Sequence, residues 1–154
     1  MKIYRLHRTQ ELPVSVNDAW EYFSEPANLP LITPPWLDFR ITSDVPEKMY
    51  PGMMIEYTVT PLLNIPVKWV SEITYVSEPR YFVDEQRFGP YRLWHHEHHF
   101  REIIGGVLVE DLVHYALPLD PLSRPVNEFF VKKQLKEIFD FRKSFLEKEF
   151  CSIA

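Results

Sequence analysis

The chain has 154 residues, a formal net charge of −5, eleven Phe, eight Tyr and four Trp. That length fits one domain with a sizeable core, and an acidic balance with no basic run excludes a non-specific nucleic-acid binder. The single cysteine, Cys151, excludes an internal disulfide and a cysteine metal cluster, and it fits a reducing cytoplasm.

The opening MKIYRLHRTQ has no apolar core of signal-peptide length, and no run is long enough to span a bilayer. The chain therefore reads as one cytoplasmic domain over 1–154, without stable membrane insertion. Ile3 to Leu12 reads as a first strand ending at Pro13. Ser15 or Asn17 can cap a short helix carrying Ala19, Trp20, Tyr22 and Phe23, which Pro26 breaks. A second short helix falls around Ala27 to Ile32, before Pro34-Pro35. Trp36 to Thr42 reads as the next strand and Pro46 to Gly52 as a turn-rich connection. Met53, Ile55, Tyr57 and Val59 alternate with Glu56, Thr58 and Thr60, the period of a half-buried strand. Pro61 to Pro66 is a proline-bounded apolar loop, either a lid or portal or a segment tucked inward. Val67 to Val76 and Tyr81 to Phe88 are further strands. Gly89-Pro90 then turns the chain into Tyr91 to Ile104, and Gly105-Gly106 is a two-residue hairpin turn into Val107 to Leu117.

Pro118 to Pro125 leads into a long helix, Pro125 to Phe150, with proline suited to its first turn. At about 100° per residue, Val131, Leu135, Ile138, Phe141, Phe145 and Leu146 share one side. Arg142 projects from that apolar stripe and requires an anionic partner, a polar cavity or a route to water along its stem. Strands in a run followed by a helix argue α+β, with the helix over one face of a curved antiparallel sheet.

A turn at Gly105-Gly106 sets Ile104 opposite Val107 and so predicts Phe100 opposite Asp111, His98 opposite Val113, His96 opposite Tyr115 and Trp94 opposite Leu117. On the other face it predicts Arg101 against Glu110, Glu97 against His114 and His95 against Ala116. The inner wall then carries Trp94, His96, His98, Phe100, Asp111 and Tyr115, with Arg142 coming down from the helix. Asp111 and Arg142 read either as a plain buried ion pair or as a ligand-facing pair. The run HHEHH suggests a metal, but strand alternation sends His95 and His99 outward with His114. That leaves two imidazoles and Asp111, so the expectation is no metal and no cofactor.

These residues carry a family likeness. Asn28 to Phe39, then Ile65 to Trp69, Phe82 to Gln86 with Gly89-Pro90-Tyr91, Trp94 to Phe100 and Ile138 to Arg142 come in the order of the SRPBCC ligand-binding superfamily, which the chain resembles. Within it the chain is similar to the small bacterial stand-alone group labelled polyketide cyclase/dehydrase-like or cell-division-inhibitor-like. The resemblance covers nearly the whole chain. It implies a helix-grip fold, as in START and pollen-allergen-type proteins. Such a fold has a sheet of about seven strands wrapped on the C-terminal helix, two short helices after the first strand, and a cavity between. It singles out Asp84, Gln86, Trp94, His96, His98, Phe100 and Arg142 as recurring positions, with no established catalytic role.

Two functions compete on this reading. One is a binding protein for a small hydrophobic or amphipathic ligand. Tyr57, Trp69, Trp94, Phe100 and Tyr115 would give it apolar contact, with Asp84, Gln86, His96, His98 and Arg142 as its polar groups. The other is a cyclase or dehydratase acting on a polyketide-like substrate. There His96 or His98 would be the base, Asp111 would set its tautomer, and Arg142 would stabilise an enolate. A partner-binding module is a third possibility, with Leu62 to Ile65 its only candidate surface, and the expected state is a monomer or weak homodimer.

Overall fold

The computed structural model describes residues 1–151. Seven strands form one antiparallel sheet: β1 (Tyr4–Leu12), β2 (Arg40–Ile41), β3 (Met54–Leu62), β4 (Ile65–Ser77), β5 (Tyr81–Phe88), β6 (Leu93–Ile103) and β7 (Gly106–Ala116). Their spatial order is β1-β7-β6-β5-β4-β3-β2. Helix α1 (Val16–Ser24) follows β1, and a short helical turn α2 (Arg124–Val126) opens the C-terminal helix. That helix passes through one π-helical turn, Asn127–Val131, and continues as α3 (Lys132–Cys151). Among the described residues no helix is long and apolar enough to cross a membrane.

Local chemistry explains most of these elements. Ser15, not Asn17, caps α1: its Oγ accepts from the Asp18 backbone N–H at 3.0 Å, a cap worth about 1 kcal/mol. Ala19, Trp20 and Phe23 are then buried, and Trp20 meets Phe82 and Phe100 edge-on at 5.8 and 5.6 Å. The inward stripe of α3 steps through Leu135, Phe139, Leu146 and Phe150, all buried. Phe139 takes the place expected for Phe141, which stays half-buried against Phe145. Four-residue steps from Val131 through Leu135 reach Phe139, and the same helix face then carries Arg142.

Four expectations are corrected. Trp36 to Thr42 is mostly not strand: Pro35–Leu37 forms a 3₁₀ turn, Asp38 adopts φ 47°, and only Arg40–Ile41 joins the sheet. Pro35 opens this turn, and its fixed φ suits the start of a helical turn. Ala27 to Ile32 likewise holds only the 3₁₀ turn Pro26–Asn28 followed by further turns. Pro61 to Pro66 is not a loop but the tip of the β3–β4 hairpin, turning on Leu63 and Asn64, both at φ 53°. Two successive positive-φ residues are the backbone of the turn that twisted hairpins favour.

The fourth correction concerns the β6–β7 register. Ile103 pairs with Gly106, so the turn residues are Ile104 and Gly105. Gly105 supplies the positive φ of 83°, whereas Gly106 is a ladder residue at which a Cβ would stand 2.1 Å from the Leu12 carbonyl oxygen. The pairing moves by two residues. His98 lies opposite Asp111, His96 opposite Val113, Trp94 opposite Tyr115 and Phe100 opposite Val109. A two-residue shift preserves the faces, so the inner wall keeps its expected residues. On the outer face His99 meets Glu110, Glu97 meets Leu112 and His95 meets His114.

Candidate functional site

The cluster on the inner wall is assembled by two ladders and the helix. The β6–β7 ladder sets Asp111 opposite His98, and the β5–β6 ladder sets Asp84 opposite His96. His96 and His98, two residues apart on one strand, share a face, and their ring centroids are 3.7 Å apart. Asp111 Oδ1 lies 2.8 Å from His96 Nε2, and Asp84 Oδ2 lies 2.7 Å from His98 Nε2. The cross-contacts are looser: His98 Nδ1 to Asp111 Oδ1 is 3.2 Å and His96 Nδ1 to Asp84 Oδ2 is 3.5 Å. His98 stacks on Phe82 at 4.1 Å, and His96 meets Phe139 at 5.8 Å. From α3, Arg142 sends an Nη to within 3.4 Å of Asp111 Oδ1 and lays its guanidinium over the Phe139 ring at 4.8 Å. Its Nε is buried without a hydrogen-bond partner. The arginine that broke the stripe thus has both an anionic partner and a cavity to face.

Opposing pressures set the charges here. Burial pushes both carboxyls up, but it is outweighed by the hydrogen bonds and charges around them. The two histidines and Arg142 hold Asp111 well below the usual carboxylate range, and His98, His96 and Arg142 lower Asp84. Burial and the neighbouring His98 charge lower His96 against the pull of its aspartates. For His98 burial also acts downward, but its closeness to both carboxylates wins and its pKa rises. The arrangement is therefore two adjacent imidazoles pushed in opposite directions, His96 down and His98 up, between two carboxyls held low and a guanidinium.

This polar cluster forms part of the wall of a cavity of about 540 Å³ between sheet and helix. Most of the remaining wall is apolar, with Phe23, Leu37, Ile55, Trp69, Leu135 and Ile138 among its residues. Buried Ser71 is a smaller polar feature, accepting from Trp69 Nε1 at 3.1 Å and lying 3.2 Å from the Tyr57 hydroxyl. Burial raises the pKa of that phenol well above its ordinary value. The cavity reaches the hairpin tip at Pro61 and Leu62 and the segment before the helix at Leu119, Leu122, Val126 and Phe130. Leu119 and Leu122 are 77% and 79% exposed, so this end of the cavity carries an apolar rim. Gln134 Nε2 donates to the Pro61 carbonyl at 2.8 Å and ties the helix to the hairpin beside it.

Of the residues singled out in the sequence, Tyr57, Trp69, Asp84, Trp94, His96, His98 and Arg142 border the cavity. Asp111 stands behind the histidines rather than among the lining residues. Gln86, Phe100 and Tyr115 do other things. The Gln86 amide clamps the Tyr91 backbone, donating to its carbonyl at 2.7 Å and accepting from its N–H at 3.1 Å. Phe100 packs on Trp20 and Phe23 in the apolar core. Tyr115 stacks on Tyr4 at 5.4 Å and donates to Asn127 Oδ1 at 2.9 Å. Its hydroxyl is pushed up to about 12, chiefly by burial. Sequence reading missed Ser71 and Ile73, although both share Trp69's face at two-residue spacing along β4. His95 and His99 sit on the outer face in a network with Glu85 and Glu97.

No protein-family model matches the chain, and no curated protein matches it. Similar solved structures span nearly its full length. A START superfamily protein from Mycobacterium smegmatis shares 14% identity at a TM-score of 0.71, covering 97% of this chain and 99% of that one. Ginseng major latex-like protein 151 from Panax ginseng shares 14% identity at 0.67, covering 96% and 97%. Ara h 8.0201 shares 14% identity at 0.63, covering 94% and 98%. The likeness is one of fold: the chain has the helix-grip arrangement of a curved antiparallel sheet around a long C-terminal helix that these structures share.

Proposed function

We propose that the chain binds a small hydrophobic or amphipathic molecule, lipid-like or polyketide-like, in the cavity between sheet and C-terminal helix. The observation that carries this reading is the cavity of about 540 Å³, with apolar walls and one convergent polar cluster. Its volume falls within the range of about 300–1,000 Å³ usual for small-molecule sites. The apolar body of the guest would lie against Trp69, Trp94 and Ile138, and its polar end would be oriented by His96, His98 and Arg142. Helix-grip neighbours described as START and major latex-like proteins support a ligand-binding role at this general level. The single thiol, Cys151, is free and exposed, which supports the cytoplasm as the setting.

Native mass spectrometry of protein from its own host, together with displacement of an apolar fluorescent dye, tests the reading. Bound organic mass and a ligand-dependent rise in Tm are expected, and Ile138→Trp, which fills the cavity, should abolish both while the chain stays folded. Dye binding that is indifferent to Ile138→Trp would sink the proposal.

A second reading has one specific support: His96, its pKa lowered by burial and by the neighbouring His98, lies 2.8 Å from Asp111 beside the Arg142 guanidinium. Such a group can remove a proton next to a carbonyl while the cation stabilises the resulting enolate, the step of a cyclase or dehydratase. His96→Gln should then remove turnover of a polyketide-like substrate but leave dye binding intact. Turnover surviving in that variant removes the reading.

A further inference from the structure

The polar cluster contains a juxtaposition that its hydrogen bonds do not use. Asp111 Oδ1 lies 2.8 Å from His96 Nε2, which leaves His96 Nδ1 outside that contact. That Nδ1 stands 3.5 Å from Asp84 Oδ2, with no hydrogen bond joining the two. The same Asp84 oxygen lies 2.7 Å from His98 Nε2. His98 Nδ1, buried and without a hydrogen-bond partner, stands 3.2 Å from Asp111 Oδ1. One ligand atom from each of Asp84, His96 and His98 lies within 4.8 Å of the other two.

We propose that Asp84, His96 and His98 form a site for a divalent first-row transition metal ion, with its remaining coordination positions open to the cavity. Metal–nitrogen and metal–oxygen bonds of about 2.0–2.2 Å put neighbouring donors roughly 3–3.5 Å apart. The triad reaches that spacing by small side-chain shifts. Two imidazoles and one carboxylate suit iron, cobalt or zinc rather than calcium or magnesium, which prefer all-oxygen sites. Asp111 then has the role that carboxylates take behind metal-bound histidines. It accepts from His96 Nε2 and, once His98 binds through Nε2, from His98 Nδ1, orienting both rings. The cavity draws the same division: the three proposed ligands line it and Asp111 does not. Sequence reading expected no metal because strand alternation left only two imidazoles inside, with Asp111 the one carboxylate considered beside them. The β5–β6 ladder brings Asp84 instead, from a strand whose register the sequence left open. A metal there would present a Lewis acid to an oxygen at the polar end of a guest.

The test loads chelator-treated protein with Co(II) or Zn(II), with no organic ligand present, so failure of the cargo reading leaves it untouched. One equivalent of Co(II) with visible bands of nitrogen–oxygen coordination is expected, along with a Zn(II)-dependent rise in Tm. Asp84→Asn should abolish this uptake, and Asp111→Asn should weaken it about 10- to 100-fold. The outer-face double variant His95→Gln/His99→Gln should leave it unchanged. Because Asp84→Asn could disturb folding, the wild-type Co(II) protein is also read by NMR, where the ring protons of His96 and His98 should carry the large paramagnetic shifts. No uptake by the wild type overturns the proposal. So does uptake that survives in folded Asp84→Asn, uptake lost in the outer-face variant, or shifts that fall on His95 and His99.

Discussion

At the scale of single residues, Arg142 and Asn127 are buried polar side chains satisfied at one atom and left without a partner at another, Nε and Nδ2 respectively. Arg142 is 12% exposed and brings its guanidinium to within 3.4 Å of Asp111. Removing one partner of a buried pair leaves the other uncompensated, at a cost of about 3–5 kcal/mol when nothing else satisfies it. The two histidines still contact Asp111, so Arg142→Met should cost about 3 kcal/mol, measured by urea unfolding with an unchanged m-value. Asn127 is fully buried in the π-helical turn, and its Oδ1 accepts from Tyr115. Tyr115→Phe strands that oxygen and should destabilise by about 1–3 kcal/mol. A loss well below this would mean that the turn relaxes to pair Asn127 elsewhere.

At the scale of elements, the β6–β7 hairpin decides what the site contains. Its two glycines have different jobs. Gly105 carries a backbone φ of 83°, and Gly106 lies against the Leu12 carbonyl, 2.1 Å from where a Cβ would sit. Gly105→Ala should cost about 1–3 kcal/mol of backbone strain. Gly106→Ala should cost more, because backbone cannot swing aside as a side-chain tip can. The loss should show as faster amide hydrogen exchange along β1, its hydrogen-bonded neighbour across β7. Equal exchange in the two variants would mean that the β1 end moves away freely.

At the scale of the molecule, helix and sheet pack at both ends of α3 and meet between them at Phe139 on His96 and Arg142 on Asp111. Leu146 and Phe150 pack with Leu12, Trp20 and Phe23, while Val131 and Leu135 pack with Tyr4 and Tyr115. The cavity opens beside the second contact, under a rim that includes Leu122 and Phe130. Entry of an apolar guest must cross that rim. Leu122→Asp and Phe130→Asp should therefore slow stopped-flow uptake of an apolar dye several-fold, with Tm nearly unchanged because both positions are exposed or partly so. Uptake at the wild-type rate would place the route elsewhere.

The sequence by itself determined the α+β order, the long amphipathic helix and which face of β6 and β7 turns inward. These rest on local periodicity, and periodicity survives a two-residue slip. It also marked Arg142 as out of place in an apolar stripe. Tertiary structure alone decided that Asp84 joins His96, that Asp111 lies opposite His98 and that Phe100 and Tyr115 belong to packing. Cross-strand partners depend on turn geometry and on close approaches such as Gly106 to Leu12, which involve residues distant in sequence. The cavity was least legible of all: it is space left where curved sheet and helix separate, and only the whole set of packing contacts encodes it.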